Sequence, residues 1–278
     1  MIKDHLKTWV LLLSLTFLLL ILGFALGGTM GLTIALFITV IINISSFWYS
    51  DKIALKIYKA KKILYSEKPE LHDILKDLSM RAGIKTPRLY MIPSPNPNAF
   101  ATGRSENTAV VAVTQGLLDL LSERELRGVL AHELAHIKNK DILLTTISSI
   151  IAGTLMYLAM LARWTAIFSS NKDSNLGEIL ALSILAPIAA TLINLSISRS
   201  REFLADEVGS KITKDPKSLS EALVKIHSSS KKMEFGNPAL SNMFISNPFR
   251  SSSLINLMST HPTLQARIKR LRKLAFTQ

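Results

Sequence analysis

Residues 128–141 read GVLAHELAHIKNKD, which sets His132 and His136 four apart with Glu133 between them. On a helix the two histidines differ by about 40° in azimuth, so both rings can reach one ion, while Glu133 stands about 100° to the side. Two neutral imidazoles suit Zn2+ with an open position for water, and a neighbouring carboxylate can take that water's proton. HExxH alone also arises by chance in ordinary helices. Here the intervening Leu134, Ala135 and Ile137 are uncharged, as a buried metal helix requires, and two of the chain's six histidines fall in the motif.

A catalytic zinc needs a third protein ligand, and neither an extended HExxHxxGxxH pattern nor any cysteine supplies one. Asp141 would lie about 140° around a continued helix from His136 and reads as structural. The stretch SRSREFLADEVGS, residues 198–210, offers Glu202 and Asp206 four apart on one helical face. A solvated acidic face would look the same. Topology separates the two readings. His136 lies just before an apolar hairpin and Glu202 just after it, so an antiparallel helix pair would bring both to one membrane face. Glu202 is then expected as the third ligand, and Asp206 as the acceptor that orients a histidine N–H.

The elements that must hold these residues are legible in outline. Ser122 and Glu125 in SERE form a capping box, so a helix should start there and run through RELRGVLAHELAHIK. Ahead of it, PRLYMIP (87–93), AFATG (99–103) and TAVVAVT (108–114) read as short strands of a small sheet, and residues 51–82 read as helical and basic. No internal repeat is evident.

A mean hydropathy of +0.29 exceeds what a soluble core needs and points to a membrane protein. From Thr8 to Ser50 no residue is charged. As one helix that run would be about 64 Å long, roughly twice the hydrocarbon thickness, so it should fold back near Gly27, Gly28 and Thr29 into spans near 9–27 and 31–49. Ile142–Ala162 and Ile179–Ser198 are two further uncharged runs, less apolar than the first, expected as a second spanning hairpin, with two helices buried in the fold or lying partly in the membrane as the alternative. The chain then divides into a first transmembrane hairpin (1–50), a catalytic domain that begins over 51–141, a second transmembrane hairpin (142–198) that interrupts it, and the remainder of the catalytic domain (199–278).

Lys3 and Lys7 precede the first hairpin, Lys52, Lys56, Lys59, Lys61 and Lys62 follow it, and Arg199 and Arg201 follow the second. By the positive-inside bias, both termini and the motif helix should face the cytosol of a multi-pass cell-membrane protein. The net charge of +13 reads as topology and attraction to the bilayer surface. No basic-and-aromatic groove motif points to nucleic acid.

AHELAHIKNKD, SRSREFLAD and STHPTLQARIKRL together resemble the HtpX-type membrane metalloproteases, relatives of the CAAX prenyl proteases, and the resemblance covers essentially the whole chain. It implies a mainly α-helical membrane protein with a small β-sheet, in which a cytosolic gluzincin-like zinc protease domain holds one Zn2+. Its substrates would be proteins or peptides, chiefly membrane proteins, cleaved in quality control. By the same resemblance His132, His136 and Glu202 match the zinc ligands, Glu133 the general base and Asp206 the acidic position behind a ligand. PNAFATGR, with Asn98, Ala99, Phe100, Ala101, Thr102 and Gly103, matches the edge segment that binds the substrate backbone. His261 and Arg267 match catalytic positions near the substrate carbonyl; an alternative leaves Arg267 solvated among Lys269, Arg270 and Arg272 on a helix that starts near Pro262. Residues 233–259 read as a loop, either a lid or plain surface. Competing functions are a dedicated processing peptidase and a membrane scaffold with structural zinc; four closed ligands would mark the latter, and three with a flanking base do not.

Overall fold

The computed structural model describes residues 2–103, 105–141, 199–229, 244–245 and 262–275. The second apolar hairpin (142–198), Arg104, His261 and all of the 233–259 loop except Phe244 and Ile245 lie outside the described residues.

Helix α1 (Ile2–Ile57) is two helical arms joined where Gly27 (φ −152°, ψ 22°) and Gly28 (φ 56°, ψ −140°) leave helical geometry. The positive φ of Gly28 is one that glycine adopts without a Cβ clash. The fold-back is tight: a Cβ on Gly31 would overlap the Gly23 carbonyl, and one on Gly23 would overlap the Ala35 side chain. Phe17, Phe24, Met30, Phe37 and Ile41 are exposed along the arms. Among the described residues no helix is long and apolar enough to cross a membrane; the helical fold-back itself is the structural fact.

The expectation of continuous helix over 51–82 is corrected. α1 ends at Ile57, Lys59 takes φ 52°, Lys61–Lys62 form strand β1, and α2 restarts at Pro69–Ala82. Pairing drives the break, because Lys61 and Lys62 align with Met91 and Tyr90, and the next amide, Ile63, donates to the Leu89 carbonyl at 3.0 Å. Pro69 suits the first turn of α2, where a missing N–H costs nothing.

β2 (Arg88–Ile92), β3 (Ala99–Thr102) and β4 (Val110–Thr114) form where strands were expected. The sheet order is β1-β2-β4-β3, with β2 and β4 parallel and the other pairs antiparallel, so β3 is an edge. Alternation sends Ala99, Ala101, Val111 and Val113 into one core and Phe100, Val110 and Ala112 into another with Ala54, Leu55 and Tyr58 at the end of α1.

The helical layer is α3 (Gln115–Leu120), α4 (Glu123–Lys138), α5 (Arg199–Thr213), α6 (Pro216–Ser229) and α7 (Leu264–Ala275). α4 is its centre, packed by α2, α5, α6 and β3. Val129, Leu130, Leu134 and Ile137 of α4 are buried, and full burial of each such side chain contributes about 1.5–3 kcal/mol. Against α4, Gly209 lets α5 come so close that a Cβ there would lie 3.0 Å from the His132 nitrogen and 3.1 Å from its Cα. Gly209→Val is therefore expected to cost about 1–3 kcal/mol by overpacking. Thermal unfolding checks this, and an unshifted Tm would mean that the helices do not meet so closely.

Candidate active site

The start of α4 is fixed by its capping box: the Glu125 carboxylate accepts from the Ser122 amide at 2.9 Å, and the Ser122 hydroxyl accepts from the Glu125 amide. Lys225 of α6 holds Glu125 at 2.8 Å from behind. Two turns on, His132 and Glu133 are buried and His136 half-buried. Glu202 and Asp206 sit one turn apart on α5, both buried against them.

Each of His132, His136 and Glu202 offers one donor atom, all within 4.8 Å of one another. The imidazole Nε2 atoms are 3.2 Å apart, and the Glu202 carboxylate oxygens lie 3.6 Å from that of His132 and 3.5 Å from that of His136. Adjacent ligands on a tetrahedral zinc with bonds of about 2.0–2.1 Å are separated by roughly 3.3 Å. The spacing and the donor chemistry, two nitrogens and one carboxylate oxygen, therefore fit zinc.

Both rings are held from behind by acids. His132 Nδ1 is 3.0 Å from Asp206 Oδ1, and His136 Nδ1 is 3.1 Å from Asp141 Oδ2. A ring that donates from Nδ1 to a carboxylate presents the Nε2 lone pair forward. Burial disfavours the charged rings, but the Asp141, Glu202 and Glu133 carboxylates outweigh it at His136, whose pKa is pushed up to about 10. At His132 burial and Arg267 oppose protonation, yet Asp206 and Glu202 hold the pKa above the usual histidine range.

Asp141 is the residue that sequence reasoning misplaced. The 140° estimate assumed a continuing helix, whereas α4 stops at Lys138 and Lys140 takes φ 58°, which swings the Asp141 carboxylate back onto His136. The NKD sequence after the motif, with an Asn cap, was the available signal. Asp141→Asn is expected to weaken zinc binding about 10–100-fold, the usual scale for groups that orient a ligand. Titration against a competing chelator reads this, and unchanged affinity would return Asp141 to a structural role.

Arg267, on α7, is buried rather than solvated among the helix's other basic residues. Its Nη2 and Nε donate to Asp206 Oδ1 and Oδ2 at 2.6 and 2.9 Å, and Nη1 lies 3.6 Å from Glu202 Oε2. Burial raises the pKa of Asp206, but Arg267 and His132 overcome it and keep the carboxyl below the usual range.

Glu133 is 2% exposed and lies beside β3, where the Ala101 backbone favours its charged form. Burial pushes its pKa above the ordinary carboxylate range against the pull of the two histidines. Asn98 is buried at the head of β3, its backbone carbonyl bonded to the Thr114 amide at 3.0 Å and its side chain to the Ala99 amide at 3.1 Å. Phe100 and Thr102 are buried within the sheet, and Gly103 follows the strand at φ 135°. The Glu133 carboxyl group, three donor atoms and a strand edge thus converge, an arrangement suited to hydrolysing an extended peptide.

Comparison with known proteins agrees. The model of peptidase family M48 matches residues 65–275. The Protease HtpX homolog of Thermococcus kodakarensis is 51% identical over 278 residues, covering 97% of this chain and 96% of that protein. The one from Pyrococcus furiosus is 50% identical over 275 residues, covering 97% and 95%. Among solved structures, S. mikatae Ste24p aligns with a TM-score of 0.51 at 18% identity. That alignment spans 97% of this chain and 66% of that one, and it shows a shared fold.

Proposed function

The chain belongs to peptidase family M48 and is a metalloendopeptidase, and from that premise we propose that it cleaves peptide bonds of membrane proteins at the cytosolic face of the cell membrane, in proteolytic quality control. The observation that carries the reading is the convergence of three donor atoms spaced for zinc beside the buried carboxyl group of Glu133 and a strand edge.

Zinc held by His132, His136 and Glu202 would supply Lewis acidity to the scissile carbonyl and to the attacking water. Glu133 takes the water's proton as general base and delivers it to the departing amine nitrogen. Burial raises the pKa of Glu133 above the ordinary carboxylate range, which favours its taking the water's proton. Asp206 and Asp141 hold the two rings in the orientation that faces the site, and Arg267 in turn holds Asp206. The substrate adds as an extended strand along β3, whose backbone between Asn98 and Gly103 supplies affinity independent of side chains.

A membrane setting is supported by the uncharged run in α1, its exposed Phe, Met and Ile side chains and its lysine-rich flanks. The end of α1 packs Tyr58 against Phe100 of β3 with ring centroids 5.7 Å apart, so the edge strand lies where the first hairpin meets the catalytic domain. A segment leaving the bilayer there has a short path to the site. The second hairpin, read as a further span, returns the chain to the same side before Glu202.

The chain contains no cysteine, so single introduced thiols report on sidedness. Lys62→Cys and Lys211→Cys, both at exposed positions, are expected to resist a membrane-impermeant thiol reagent in intact cells and to react after permeabilisation. Labelling of either in intact cells would overturn the topology. A deletion strain should accumulate many misfolded membrane proteins; a single uncut precursor would instead make the enzyme a dedicated processing peptidase.

A further inference from the structure

The outer edge of β3 already carries a segment of the same chain. Asn98 accepts from Thr114 of β4, so by strand alternation the backbone groups of Ala99 and Ala101 point away from β4. On that side the Ile245 amide donates to the Ala99 carbonyl at 3.0 Å. The Ile245 carbonyl accepts from Arg267 Nη1 at 3.2 Å, the same nitrogen that lies 3.6 Å from Glu202. Phe244 and Ile245 send their side chains to opposite faces, as successive strand residues do. Phe244 packs edge-on against Tyr58 and Phe100, with centroids 4.7 and 5.2 Å apart, on the α1 face, while Ile245 joins the core shared with α4. Both are almost fully buried.

We infer that Phe244 and Ile245 occupy the place on β3 that a substrate strand takes beside the metal-site residues, so that the substrate must displace this internal pair to be cut. The inference rests on the strand-addition reading of the site. Among the described residues the pair bonds β3 at Ala99, whereas β4 aligns with all four residues of β3. An extended substrate segment that also bonds the Ala101 carbonyl, which faces the same side, adds to that contact once the pair lifts. The pair also marks the chemistry that fits: a large aromatic side chain between Tyr58 and Phe100, followed by a branched aliphatic one on the opposite face. Unfolded apolar segments of a membrane protein would supply such pairs.

The test uses the full-length protein in detergent and a quenched-fluorescence peptide containing a central Phe-Ile pair. Ile245→Pro keeps an apolar side chain but removes the N–H that bonds Ala99; Phe244→Ala leaves the backbone and removes the ring. In both variants KM is expected to fall about tenfold with kcat unchanged, because the edge becomes open in most molecules instead of a minor fraction. A lowered kcat with KM unchanged or raised would show the pair to be a fixed part of the sheet and overturn the inference. If Ile245→Pro does not fold, Phe244→Ala decides alone. The same peptide methylated on the amide that faces Ala99 separates the two levels. Cleavage of it as efficient as of the parent removes strand addition and, with it, this inference. If methylation abolishes cleavage while KM in the variants stays at or above the wild-type value, strand addition stands and displacement of the pair falls.

Discussion

Glu133→Gln is expected to retain zinc and fold as the wild type does, while peptide-bond hydrolysis falls by a factor of about 10²–10⁴. Glu133 is not among the three side chains whose donor atoms face one another, and it is buried beside β3. Glutamine keeps the length and the helix preference, but it has no basic site at neutral pH. Zinc by atomic absorption and turnover should be read on the same samples. Loss of zinc would make Glu133 a ligand or a structural residue, and unchanged turnover would put the base elsewhere.

The second large effect falls on α5. Glu202→Ala should leave only two imidazoles facing the site and reduce bound zinc from about one per chain to a small fraction, with activity lost in parallel. Asp206→Asn should behave differently, because Asp206 stands behind His132 and does not face the site. Zinc affinity is expected to fall about 10–100-fold. Stability should fall too, because Arg267 is 3% exposed and its two short contacts to Asp206 compensate its charge; breaking a buried pair costs about 3–5 kcal/mol. Zinc should therefore be titrated on the folded fraction, after circular dichroism has established it. Full occupancy and activity in Glu202→Ala would mean that the third donor is another residue.

What the sequence made legible followed from local rules. HELAH, its capping box and the alternating strands TAVVAVT and AFATG depend on spacing and turn residues within one element, and those elements form where expected. The juxtaposition of Glu202 with His136 needed only the argument that an apolar hairpin returns the chain to its starting side. The errors arose where a periodic rule was carried past the end of its element. Asp141 was projected along a helix that had already stopped, and Lys59 interrupts a basic stretch whose composition alone reads as helix. β1 is two lysines long and exists because β2 offers an unpaired edge, which no window of sequence around Lys61 records. The burial of Arg267 was hidden for a related reason: its helix carries four other basic residues, and only a long-range partner, Asp206, singles it out. Phe244 and Ile245 sit in a stretch without periodicity, and their placement on β3 is a tertiary contact between positions more than a hundred residues apart.

The central claim, that this chain hydrolyses peptide bonds through zinc held by His132, His136 and Glu202, is tested most directly by titrating metal back into stripped enzyme. Protein purified in detergent and treated with a chelator should lose its hydrolysis of casein and of an unfolded membrane protein. Zinc added in steps should restore both activities linearly and saturate at one ion per chain. Hydrolysis that survives complete removal of metal, or that saturates only at several ions per chain, would contradict the account.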